Sequence, residues 1–221
     1  MLKNRWIGLG LIAAMLAFSA VVFNQLPARV PTHWNINGVA DGFGARDLAA
    51  LLLPAISLAL WLLFLLMPKL DPLTITSPER FSYAPFIDTL RRWLNFILLF
   101  TAGLHVTTLG IALGWPIQIG QAMMVGIGLL FAAMGNEFGR LKRNSFAGIR
   151  VPWTLANEEV WRISHRVGGR GFVIIGLMSV LGGLILPQEI GFIVLMILMF
   201  GWAFFVLAYS YAVSRRVARG G

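Results

Sequence analysis

The chain has no cysteine among its 221 residues, which removes disulfides, thiol nucleophiles and thiolate metal sites. Charge is also scarce. Asp, Glu, Lys and Arg make up 12% of the residues, and only nine of these are acidic. Histidine occurs three times, at His33, His105 and His165. Neither a phosphate-binding loop nor a dinucleotide fingerprint is present, so no cofactor is expected. The chain that remains is 58% hydrophobic, with a mean hydropathy of +0.78. Such a composition belongs to a membrane protein and excludes an ordinary soluble domain.

Uncharged runs extend over Trp6–Ala28, Leu48–Pro68, Trp93–Asn136, Gly171–Gln188 and Ile190–Ser214. A helix needs about 20 apolar residues to cross roughly 30 Å of hydrocarbon. The third run holds 44 residues, and as one helix at ~1.5 Å per residue it would be about twice too long. It breaks at "GWPIQIG", Gly114 to Gly120, where Gly, Pro and Gln punctuate the run and Trp115 suits the headgroup level. The expected class is therefore all-α: a bundle of six transmembrane helices at 6–25, 48–67, 93–113, 121–138, 171–187 and 190–211. The chain reads as a single membrane domain. Residues 1–70 form a two-helix unit with an outer polar loop at 26–47, and residues 71–221 a four-helix unit with a polar loop at 139–170.

Six crossings place both termini on one side. Of the 18 basic residues, 16 fall on that side and only Arg29 and Arg46 on the other. The positive-inside rule makes both termini cytoplasmic. Orientation thus accounts for the net charge of +9, and direct nucleic-acid binding is not expected. Lys3 and Arg5 before an apolar stretch imitate a signal peptide, with Ala17-Phe18-Ser19 as a weak cleavage site. The stretch is too long for an h-region, and an uncleaved first helix is expected.

Two inner segments are long. "PKLDPLTITSPERFSYAPFIDTLRR" carries prolines at 68, 72, 78 and 85, so it should be broken, becoming helical from about Pro85. In "GRLKRNSFAGIRVPWTLANEEVWRISHRVGGRG", Asn157 is an N-cap candidate, followed by Glu158 and Glu159 in a first turn. Glu158 with Arg162, and Trp161 with His165, then stand at i, i+4. The simplest reading is a short surface helix ending near Gly168-Gly169, in contact with membrane lipids. Gly110/Gly114, Gly135/Gly139 and Ser179/Gly183 have the small-xxx-small spacing of closely packed helices.

The outer loop holds "PTHWNINGVADG", in which His33, Trp34, Asn35, Gly38, Asp41 and Gly42 are the candidate ligand-binding residues. His33 and Asp41 resemble a base and its orienting carboxylate, yet Thr32 is the only hydroxyl nearby to serve as nucleophile. Asp41 and Asp47 are too few carboxylates for a calcium loop. Turn glycines and turn asparagines, with Trp34 and Phe43 as anchors, point instead to a lid or a ligand-recognition surface. The three histidines cannot converge on a metal in this topology, so no metal site is expected. Within the spans, His105 is expected to be neutral and bonded to a Thr or a carbonyl, or else to serve a proton-coupled step. Glu137 should pair with Arg140 or Lys142. A basic interfacial loop held by tryptophans and anionic lipid accounts for the inner segment on physical grounds.

At Arg143–Leu177, "RNSFAGIRVPWTLANEEVWRISHRVGGRGFVIIGL", the sequence resembles the signature of the SdpI-type bacterial membrane proteins. In that family an N-x-x-x-G-I-R-x-P-W-T-L stretch precedes W-x-x-x-H-R-x-x-G. The signature positions here are Arg143, Asn144, Gly148, Arg150, Pro152, Trp153, Thr154, Trp161, His165 and Arg166. "PTHWNINGVADGFG", the following Leu-rich span with Pro54, and "PKLDP" are similar to the segments that precede the signature. One departure is Val151, where the family commonly has Thr. The resemblance implies an immunity protein that recognises a secreted peptide toxin and captures a small cytoplasmic repressor through its inner loops. Two further classes stay open. One is a small transporter or lipid-handling protein with a polar path near His105 and Glu137. The other is a membrane enzyme acting on lipid phosphate through His165, or built on His33 and Asp41.

Overall fold

The computed structural model describes residues 3–78 and 80–220. The side chains of Lys3 and Arg5, counted above on the inner side, lie outside the described residues. Eight α-helices are present among the described residues: α1 (Lys3–Val22), α2 (Arg46–Leu70), α3 (Pro72–Thr76), α4 (Ile87–Ala112), α5 (Ile119–Phe138), α6 (Pro152–Ala156), α7 (Glu158–Ile185) and α8 (Gln188–Gly220). All but the short α3 and α6 are long and apolar enough to cross a membrane. The third apolar run does fold back, with α4 ending at Ala112 and α5 beginning at Ile119.

Two expectations are corrected. The outer loop is regular structure: Arg29–Trp34 (β1) and Ala40–Ala45 (β2) pair as an antiparallel hairpin. The fold is therefore mostly rather than wholly helical. "NINGVA" supplies the turn, and the alternation across Val30, Thr32 and Trp34 is too short to stand out beside the spans. The segment after Asn157 is also not a separate surface helix. α7 continues through Gly168-Gly169 to Ile185, because those glycines meet a neighbouring helix and tertiary packing overrides their weak helix propensity.

That neighbour is α5, the partner α7 packs against most extensively. Gly128 and Gly135 on α5 face Gly176 and Gly169 on α7, and a Cβ at any of the four would lie 2.5–2.7 Å from a carbonyl oxygen across the seam. The glycines recur every seven residues, and Gly183 continues the series against Met124. Close backbone approach of this kind replaces the hydrophobic effect as the source of helix association in lipid. Ser179 adds a hydrogen bond from its Oγ to the Met124 carbonyl at 2.8 Å. Of the other expected small pairs, Gly110 makes room for the Trp115 ring rather than for a helix.

α1, α2 and α4 form the other group and carry a buried polar seam. Ser57 Oγ and Thr101 Oγ1 lie 2.9 Å apart. Ser19 Oγ donates to the Ala50 carbonyl and stands 2.8 Å from His105 Nε2. Around Val30, which is fully buried, Val22, Leu26, Ala49 and Leu109 pack and fix the hairpin over the ends of α1, α2 and α4. A second cluster at the opposite end joins Tyr83, Phe86, Leu90, Trp93, Phe138, Leu141 and Trp161. The helices thus alternate in direction between a hairpin end and a loop end.

Candidate functional site

At the hairpin end, backbone pairing sets His33 opposite Gly42. His33 Nδ1 is 2.5 Å from Asp41 Oδ1, and both side chains are exposed, by 73% and 45%. The tip is built by Asn35, whose Oδ1 accepts from the Asn37 and Val39 amides at 3.0 and 3.1 Å. Gly38 completes the turn with φ +73°. Gln188, at the start of α8, ties this tip to the helices. Its Nε2 donates to the Ile36 carbonyl at 2.8 Å, and its Oε1 accepts from the Gly120 amide of α5 at 3.1 Å. Beneath the hairpin lies a cavity of about 480 Å³. Its roof is Thr32–Ile36 and its walls come from α4, α5 and α8, largely Leu, Ile, Met and Phe. Trp34 lines this cavity, whereas Phe43 points outward.

At the opposite end the signature residues interlock. Asn144 is buried and fully used: Nδ2 donates to the Lys142 and Ala147 carbonyls, and Oδ1 accepts from the Phe146 and Ala147 amides. His165 is buried between rings, stacked on Trp161 with centroids 3.8 Å apart and on Phe138 at 5.1 Å. Its Nδ1 donates to the Trp161 carbonyl at 2.8 Å, and its Nε2 accepts from the Ile149 amide at 2.9 Å. Those partners select one neutral tautomer, since an amide can only donate and a carbonyl only accept. Both ring nitrogens are thereby engaged within the loop.

Gly148 explains the G of the signature. Its φ is +116°, and a Cβ there would strike His165 Nε2. Thr154 Oγ1 donates to the Ile149 carbonyl at 2.6 Å and accepts from the Val151 amide at 3.1 Å. Val151 serves through its backbone, so the missing family hydroxyl leaves this turn intact. Pro152 opens α6, and Trp153 Nε1 donates to Ser210 Oγ of α8 at 2.8 Å. Arg143 donates to the Leu155 carbonyl at 3.2 Å and lies over the Phe81 ring at 5.1 Å. Arg150 donates to the Ser145 carbonyl, and Arg166 is exposed.

Asp71 is the organising carboxylate that residue spacing did not single out. It is fully buried, and Oδ2 accepts from Tyr83 Oη at 2.5 Å and from the Ser145 amide at 2.9 Å. Oδ1 accepts from the Leu73 amide at 2.8 Å, which caps α3. One side chain thereby joins both long loops. Burial, with the hydrogen bond to Asp71 second, pushes the Tyr83 phenol well above its ordinary range. The available signal was "LDP", an N-cap residue before a helix-starting proline. The N-cap at Asn157 does form, accepting from the Glu159 and Val160 amides at 2.8 and 3.1 Å.

Several pairings differ in detail from expectation. Glu137 binds Arg140 at 2.6 Å, and also Arg92 of α4 at 2.7 Å. Lys142 instead approaches Glu158 at 4.0 Å, which frees Arg162 to meet Glu159 at 3.7 Å. His105, expected to bond a Thr or a carbonyl, stands 2.8 Å from the Ser19 hydroxyl of α1. The structure therefore does not bring His105 and Glu137 together: one lies in the α1, α2, α4 seam, the other joins α4 to α5 at the loop end.

Six long apolar helices, an apolar cavity under the hairpin at one end and an interlocked polar loop at the other define a multi-span membrane protein. Residues 140–210, which hold the signature loop, α6, α7 and much of α8, match the model of the SdpI/YfhL protein family. Residues 10–58, spanning α1, the hairpin and the start of α2, match a domain of unknown function, DUF1648. Over 177 residues the chain is 25% identical to immunity protein SdpI of Bacillus subtilis (strain 168), covering 80% of each chain. The chain thus carries the SdpI/YfhL family match in its C-terminal part and is a distant homologue of that immunity protein. No solved structure matches it.

Proposed function

We propose that the protein is a non-enzymatic immunity receptor of the bacterial cytoplasmic membrane, protecting against an antimicrobial peptide toxin and able to engage a cytoplasmic regulator. The observation that carries this reading is the cavity of about 480 Å³ under the hairpin. It offers an apolar slot beneath a polar rim of His33, Trp34, Asn35 and Asp41, which suits an amphipathic peptide with one greasy and one polar face. Homology to a protein named for immunity points the same way. The hairpin would face outward, because 16 of the 18 basic residues fall on the other side of the spans.

Gln188 supplies a route inward. It touches the hairpin tip and α5 from the start of α8, so a peptide that lifts the tip pulls on both helices. At their far ends, α5 carries Glu137 and α8 carries Ser210, the partner of Trp153. Arg143, Asn144, Arg150, Trp153 and Thr154 would then present an altered inner face to a small repressor. Such coupling requires two arrangements of the bundle that both ends bias.

The test is killing of a sensitive bacterium by membrane-active peptides, with and without the protein, alongside Asp41→Ala and Arg150→Ala. Protection by the parent that is lost in correctly inserted Asp41→Ala supports recognition at the hairpin. Full protection by both variants overturns the assignment. A lipid-handling reading comes second, favoured by a crevice of about 620 Å³ between α4 and α5 that shares Leu104 and Met123 with the hairpin cavity. Lipid movement in reconstituted vesicles that His105→Leu abolishes would support it.

A further inference from the structure

A second cavity lies at the loop end, between α5 and α8 with α7 as its floor; the immunity reading uses Arg150 at its rim but not the cavity itself. It measures about 510 Å³, and its walls are apolar, including Phe131 and Met134 of α5, Phe172 of α7 and Ala203 and Leu207 of α8. One charged side chain lines it: Arg150. No carboxylate among the described residues forms an ion pair with Arg150, and its guanidinium is steadied by the Ser145 carbonyl. A guanidinium presents five donors in a fixed fork, so a single bond to Ser145 leaves donors directed elsewhere. The recess is half open to its surroundings, so an apolar chain can enter it from the side.

We propose that this cavity is a binding site for an anionic phospholipid, one acyl chain lying in the slot and the phosphate meeting Arg150. The chemistry matches at both ends. The walls take a chain of methylenes, and an unpaired arginine at the rim takes a phosphate, which it binds through paired N–H groups. The surrounding loop end carries most of the basic residues of the chain, which concentrates anionic lipid near the mouth. Trp202 borders the slot and is anchored by its Nε1 to the Gly168 carbonyl at 3.3 Å. The signature arginine thereby acquires a lipid ligand in addition to the place that the proposed function gives it on the inner face.

Retention of lipid by the purified full chain in detergent, read by native mass spectrometry, tests this. Phosphatidylglycerol and phosphatidylcholine with the same acyl chains are offered in equal amounts. The parent should retain phosphatidylglycerol preferentially. Arg150→Gln should bind it about tenfold more weakly, the loss of a hydrogen bond to a charged group, and Arg150→Lys should keep the preference. Ala203→Phe, which fills the slot and leaves the charge, should also lose retention, whereas Arg166→Gln on the exposed basic surface should not. Equal retention of both lipids by the parent overturns the proposal. So does an equal loss in Arg166→Gln, full retention in Ala203→Phe, or displacement of the lipid by soluble glycerol phosphate at the same concentration. Protection assays do not enter, so failure here and failure of the immunity reading are separately visible.

Discussion

Replacing Gly148 by alanine should destabilise the signature loop through two separable effects. The first is backbone conformation: φ of +116° is a region that side-chain-bearing residues avoid, at a cost of ~1–3 kcal/mol. The second is the clash of the new Cβ with His165 Nε2. Relieving it means moving a ring stacked between Trp161 and Phe138, and the Ile149 amide then loses its 2.9 Å acceptor. A buried donor without a partner costs ~1–3 kcal/mol, so the total is ~2–6 kcal/mol. The assay is equilibrium unfolding in mixed micelles, followed by tryptophan fluorescence, to which Trp161 contributes directly. A double-mutant cycle with His165→Ala separates the effects. Without the imidazole there is no acceptor to lose and no ring to strike, so Gly148→Ala added there should cost only the backbone part. The coupling between the two positions should thus be ~1–3 kcal/mol, with the double variant more stable than additivity predicts. An unfolding midpoint equal to the parent's in Gly148→Ala, or additivity within ~0.5 kcal/mol, refutes the reasoning.

Asp71→Ala removes the acceptor of Tyr83, Leu73 and Ser145 and should lower stability by ~3 kcal/mol while opening both long loops to limited proteolysis. Asp71→Asn should let the Tyr83 phenol ionise at lower pH than in the parent, because the neighbouring carboxylate disfavours phenolate; phenolate absorbance during titration reads this, and an unchanged titration would count against it. Gln188→Ala frees the hairpin tip and should speed hydrogen exchange of the Gly120 amide roughly fivefold, the loss of one ordinary hydrogen bond. Asn157→Ala should cost ~1 kcal/mol of stability, and Asn157→Asp much less, since an aspartate also caps. Asp41→Ala should leave the unfolding midpoint unchanged while protection falls, because the His33–Asp41 bond sits on an exposed ribbon.

Reading along the chain went furthest where a property depends on neighbours in sequence. The break at "GWPIQIG", the Asn157 cap, the proline-broken loop and the i, i+4 stack of Trp161 on His165 all follow from local rules, and all are present. It failed where the deciding partner is remote. Gly168-Gly169 looks like a helix end until α5 is placed against it, and then it is a packing seam. The hairpin was legible as turn chemistry but not as strands, since two short strands need each other before either has a hydrogen-bond partner.

The sequence alone determined six stretches apolar enough to cross a membrane and the uneven share of basic residues between them, because hydropathy over twenty residues and the count of charges between spans are one-dimensional quantities. It also carried the family match, through a run of residues read in order. Only the tertiary structure decided which polar groups meet: Asp71 with Ser145, Gln188 with Ile36, Ser19 with His105, and Arg92 with Glu137. It alone made the two cavities, one under the hairpin and one beside Arg150. A cavity is space left between helices, and its walls are drawn from segments far apart in the chain. No local pattern encodes a volume that exists only once those helices have packed.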